Sequence, residues 1–187
     1  MAKIESTKDL LMHLLYAPGM NGEVCEPIKG KTRLQKLLFL FEKEIWKKFK
    51  LDKHISANAL PEFEPYDYGP FSKQIYEDLE FLTSVGLVSG SGQQVEQDEA
   101  FLEEINDANE EEVYKLTELG KTFVEEGEAG QLSSNQTSVL SDFKAKCSKM
   151  PLRALLLYVY SKYPEMTTNS KIRDEVLGGK LPTMDVL

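Results

Sequence analysis

Cysteine and histidine are scarce in this chain: 187 residues hold two of each, Cys25, Cys147, His13 and His54, and they lie far apart. That spacing excludes the clustered ligand sets of structural zinc and any disulfide framework. Also missing are a glycine-rich phosphate loop, a nucleophile elbow and an HExxH pair. No apolar run approaches the roughly 20 residues that cross a bilayer. The opening MAKIESTKDLLMHLL carries acids and a capping signal before its apolar stretch, so it reads as a helix and not as a signal peptide. Together these absences point to a non-enzymatic cytoplasmic protein with reduced thiols, no metal and no cofactor. His13 is expected at the polar edge of a helix core and His54 in solvent. Cys147 falls on an apolar helix face, and Cys25 sits beside Glu26, which disfavours its thiolate.

What is present is charge of both signs, unevenly spread. The formal net charge is −9. Residues 29–53 carry a net +6, residues 76–128 a net −14 and residues 140–187 a net +3. A hydrophobic fraction of 41% is enough for a buried core. The length suits one domain with an appendage, or two small ones.

Periodicity orders the elements. Ser6 and Asp9 have capping-box spacing ahead of the stripe Leu10, Leu11, Leu14 and Leu15, which Pro18-Gly19 ends. Thr32 and Gln35 form a second such pair, before Leu34, Leu37, Leu38, Phe41, Ile45 and Phe49 along nearly five turns. Pro70 and Ser72 suit the start of a third helix, with Ile75, Leu79 and Leu82 inside and Phe81 and Val85 widening the apolar face. Gly86 fits its left-handed end, and Leu87-Val88 opens a strand that residues 113–116 would pair with. Thr117 caps a helix with Leu119, Phe123 and Val124. Residues 127–138 are small and polar, which predicts a linker. Beyond it lie one helix with Leu140, Phe143 and Cys147 inside, a second opened by Pro151, and a short last one ending at Gly178.

Helix, glycine stop, strand, long excursion, strand and helix is the order in which a winged helix meets its wing. The predicted fold is α+β and mostly helical. A winged-helix-like domain with a small antiparallel wing spans 1–128, and a helical extension packed on it spans 129–187. Four phrases also resemble a known family: GKTRLQKLLFLFEKE, FEPYDYGPFSKQIYEDLEFL, YKLTELGKTF and LLLYVYSKYPEMTTNSKI. The chain resembles the bacterial YwgA-like winged-helix proteins and, more distantly, the phage-associated Panacea antitoxin group. That resemblance implies a winged-helix fold and a place in phage conflict or toxin neutralisation. It implies no reaction and no defined ligand.

Two kinds of partner follow. Duplex DNA would meet Lys73, Gln74 and Tyr76 at the start of the third helix, since glutamine pairs with adenine edges in the major groove. Lys29, Lys31, Arg33 and Lys36 would then contact phosphates. Against this, Glu77, Asp78, Glu80 and the acidic run 96–112 would repel a phosphate backbone. A protein partner would instead meet Glu99, Phe101, Glu103, Glu104, Glu110, Glu111 and Glu112, whose charge steers a basic surface. The favoured reading is a regulator or antitoxin-like neutraliser acting through protein contacts, and the alternative is a DNA-binding transcriptional regulator. A homodimer is compatible with either. The aromatics Phe63, Tyr66, Tyr68 and Phe71 are expected mainly to brace a turn, and Trp46 to be partly exposed.

Overall fold

The structure, a computed structural model, describes residues 3–91 and 113–178. Helix α1 (Thr7–Tyr16) starts as its sequence predicts: the Ser6 hydroxyl accepts the Asp9 amide at 3.2 Å. Its leucine stripe is fully buried. Strand β1 (Ile28–Lys29) leads through Gly30 into α2 (Lys31–Leu40). Here the expected reciprocal cap of Thr32 and Gln35 does not form. The N-cap is Gly30, and Gln35 turns inward to hold the backbone of Ser72, donating to its carbonyl at 2.9 Å and accepting from its amide at 3.0 Å. A buried strand-to-helix junction needs its backbone groups satisfied, and that demand outweighs a cap that water could replace.

The long second helix is also shorter than predicted. At Phe41 it widens into a π turn (Phe41–Ile45), and the chain then breaks at Lys50, which adopts a left-handed φ of 56°. Trp46 is half-buried, its indole N–H donating to the Ile55 carbonyl at 2.9 Å. Two short strands follow, β2 (Glu64–Tyr66) and β3 (Gly69–Phe71), paired antiparallel with Tyr66 opposite Gly69. Pro70 therefore belongs to a hairpin and not to a helix start. Gly69 has φ +82° and lies under a ring: a Cβ there would sit 2.7 Å from Tyr160. Only glycine meets both conditions at that turn.

Helix α3 (Lys73–Ser84) buries Ile75, Leu79 and Leu82 as expected, but leaves Phe81 49% and Val85 43% exposed. It ends at Gly86, with φ +75°. Strands β4 (Val88–Ser91) and β5 (Val113–Leu116) then pair antiparallel, and β1 joins the far edge of β5 in the order β1-β5-β4. Thr117 caps α4 (Glu118–Glu125) by accepting the Gly120 amide at 3.0 Å.

The stretch predicted as a polar linker is packed. Ala129 is buried, and α5 (Ser134–Lys149) begins inside the stretch with a capping box of Ser133 and Gln136. Helix α6 (Leu152–Lys162) and the short α7 (Arg173–Leu177) complete the described chain. One continuous apolar cluster joins α1 and α2 to α5 and α6. The architecture is thus α+β, with seven α-helices and a small antiparallel sheet among the described residues. None of these helices is long and apolar enough to cross a membrane.

Candidate functional site

The β2–β3 hairpin, the start of α2 and the start of α3 meet to form an aromatic shelf. Tyr66 and Phe71 project from the hairpin and stack at 4.8 Å with an interplanar angle of 27°. Phe71 in turn meets Tyr76, on the first turn of α3, at 5.3 Å. The Lys31 ammonium lies 5.4 Å from the Tyr76 ring centre, within cation–π reach. Tyr66 is 47% exposed. A cleft of about 30 Å³ runs between these rings and Thr32. Phe63 instead packs half-buried against the core, edge-on to Phe39 at 5.3 Å. The four aromatics expected as bracing therefore divide: Phe63 and Tyr68 are half-buried against the core, while Tyr66 faces outward and Phe71 half-outward.

The residues predicted to contact nucleic acid divide in the same way. Lys73 and Gln74 are exposed beside the shelf, and Tyr76 is part of it. Lys73 is engaged by Glu77 at 2.8 Å, and that hydrogen bond holds its ammonium above the usual lysine range. Lys29 is exposed on β1. Arg33 and Lys36 must be corrected, because neither is at the surface. The Arg33 guanidinium donates to the carbonyls of Cys147 (2.9 Å) and Met150 (2.6 Å), closing the C-terminal end of α5. Lys36 is 2% exposed, with its ammonium on the Pro70 carbonyl at 2.9 Å. Carbonyls left free at helix and strand ends attract buried cations, and these two residues serve that need. Asp78 is likewise inside, paired with Lys8 at 2.7 Å. The acidic candidates Glu99, Phe101, Glu103, Glu104, Glu110, Glu111 and Glu112 lie outside the described residues, as does the tail 181–187.

Two polar groups, one interior and one half-buried, were missed from sequence. Lys144 is fully buried and donates to three carbonyls, Leu15 (2.9 Å), Ala17 (2.7 Å) and Glu26 (2.7 Å). Burial pulls its ammonium down to about 8. A signal existed, since Lys144 falls on the stripe Leu140, Phe143, Cys147 that the sequence marks as apolar. The second group surrounds Glu44 in the π turn. Its carboxylate accepts from Tyr158 (2.9 Å), Tyr163 (2.8 Å) and Lys162 (3.0 Å), fastening α2 to α6. Burial first, and then the hydrogen bond to Glu44, pushes both tyrosine hydroxyls above the usual range. Every partner in this cluster is engaged by another, which suits a fastening more than a reaction centre.

Burial disfavours the charged forms of the isolated titratable groups. Burial pushes the Cys147 thiol up to about 12 and raises Cys25 as well. Burial likewise keeps His13 below the ordinary imidazole range, with its Nε2 3.2 Å from the Ala129 carbonyl. Among the described residues no group of three His, Cys, Asp or Glu side chains is placed to hold a metal. Compared with known proteins, the chain matches no protein-family model, no curated protein and no solved structure.

Proposed function

We propose that this chain is a non-enzymatic protein-binding module, a regulator or antitoxin-like neutraliser, that takes hold of its partner through the shelf of Tyr66, Phe71 and Tyr76. One observation carries the reading: Arg33 and Lys36 point inward, so the face built around α3 keeps Lys29, Lys31 and Lys73 but is centred on contacting aromatics. Protein interfaces are enriched in tyrosine and other aromatics, and a few such anchors carry most of the binding energy. Phosphate recognition needs several exposed cations, and here Lys73 is already held by Glu77. The net charge of −14 across residues 76–128 favours a basic partner by steering its approach. Helix α3 followed by β4 and β5 supports a winged-helix reading, with α3 in the recognition position and β4–β5 as the wing.

The test is capture of partners by the full chain from nuclease-treated host lysate, with Tyr66→Ala as the control. A specific protein retained by the native chain, and reduced at least about tenfold by the substitution, is the expected result. Binding of random duplex DNA with a steep salt dependence, unchanged by Tyr66→Ala, would overturn the proposal in favour of a DNA-binding regulator.

A further inference from the structure

A separate cavity of about 230 Å³ opens where α1, α4 and the beginning of α5 meet. Half-buried Leu132, above the buried Val124 and Leu140, gives it one apolar side, while His13, Tyr16, Glu125, Gln131 and Thr137 supply polar atoms. The Tyr16 hydroxyl donates to Glu125 Oε1 at 3.1 Å, which ties the carboxylate to the mouth. A carboxylate has about four lone-pair positions, so one hydroxyl leaves it able to accept more donors. Among the described residues no lysine or arginine lines the cavity. His13 is 6% exposed and donates from Nε2 to the Ala129 carbonyl, and burial keeps its ring neutral near pH 7. Among the described lining residues the one formal charge is therefore negative, that of Glu125.

We infer that this cavity binds a small organic ammonium, its apolar body against Val124, Leu132 and Leu140 and its charged head on the Glu125 carboxylate. Shape alone would admit any compact apolar molecule, and the charge makes the choice among them. An anion of the same shape meets the carboxylate and is repelled. A neutral alcohol keeps the apolar contact and loses the ion pair. Glu125 is exposed at the rim, so the ion pair is screened and its selectivity is modest, about threefold to fivefold over the neutral isostere. The inference is independent of the aromatic shelf, which lies on other elements.

Three probes of one shape test it: benzylammonium, benzyl alcohol and benzoate, each titrated into the full chain and followed by amide and imidazole NMR. The expected result is saturable shifts at His13, Gly130 and Gln131 with benzylammonium, weaker ones with benzyl alcohol and none with benzoate. Glu125→Gln should lower the benzylammonium affinity to that of the alcohol and leave the alcohol unchanged. Leu132→Trp, which fills the cavity, should weaken both. Equal affinity for all three probes, or shifts that Glu125→Gln does not alter, would overturn the ammonium assignment. Absence of saturable shifts at these residues would overturn the site itself.

Discussion

Two lysine-rich stretches of similar composition meet opposite fates in this fold. In residues 29–36 the cations divide, with Arg33 and Lys36 buried on carbonyls of distant segments. In residues 43–50 Lys43, Lys47, Lys48 and Lys50 are exposed. What separates them is the supply of unpaired carbonyls. The first stretch crosses the end of α5 and the hairpin, where main-chain oxygens have no helical partner. The second flanks a π turn and keeps its lysines at the surface, where Lys43 pairs with Glu42 at 2.8 Å and Lys47 lies over the Trp46 ring. A basic sequence is a basic surface only where the interior has no use for the charge.

The comparison breaks most sharply at Lys144, which serves α1 as Arg33 serves α5. Lys144→Met would leave the carbonyls of Leu15, Ala17 and Glu26 unmet inside the protein. The expected loss at neutral pH is about 3 kcal/mol in urea denaturation, with part of the carbonyl penalty offset by no longer burying a charge. A neutral or stabilising outcome would show that the buried cation is a burden and not a fastening. The pH dependence has a definite sign. The folded ammonium titrates at about 8 and the unfolded one near 10.5, so between these values the unfolded chain holds more protons. Lys144 therefore makes stability rise with pH through that window. The native chain should gain on Lys144→Met as pH is raised from 8 to 10.5, which paired denaturation curves would measure.

Next in size is Gly69→Ala. The substitution forces a side chain to φ +82° and drives its Cβ against Tyr160 at 2.7 Å. Because the Tyr160 hydroxyl is held by Ser170 at 2.8 Å, the ring has little freedom to retreat. The expected cost is about 2 to 3 kcal/mol, read as a lowered denaturation midpoint. The hairpin that carries Tyr66 and Phe71 should loosen with it, so partner capture falls too.

These cases also mark what was legible beforehand. The caps at Ser6 and Thr117 and the pairing of β4 with β5 were readable because each depends on residues close together or on simple alternation. Gln35 and Arg33 were not. Gln35 serves a backbone 37 residues away, and Arg33 serves one 114 residues away, distances over which local pattern says nothing. Lys144 was readable in principle, since a lone cation on an apolar stripe must find buried acceptors. At the candidate site, Lys73, Gln74 and Tyr76 lie together at the start of α3 as expected. The shelf itself depends on a hairpin whose pairing brings Tyr66 onto Phe71, and that stacking has no sequence period to announce it.

The smallest expected effects fall on the exposed side of the comparison. Lys47→Ala removes a cation 5.6 Å from the Trp46 ring and should change stability by less than about 0.5 kcal/mol. Lys73→Ala separates the two partner classes, because Lys73 lies beside the shelf with its ammonium on Glu77. If the shelf meets a protein, this substitution should leave both the denaturation midpoint and partner capture near native, since rim charges add little to affinity. If α3 enters a major groove, the same substitution should weaken duplex binding and reduce the salt slope by about one. A titration of Lys73→Ala against duplex DNA at several salt concentrations, beside the capture assay, reads both. A loss of capture with Lys73→Ala matching that of Tyr66→Ala would instead place an ion pair at the centre of the interface, with the aromatic shelf as its surround.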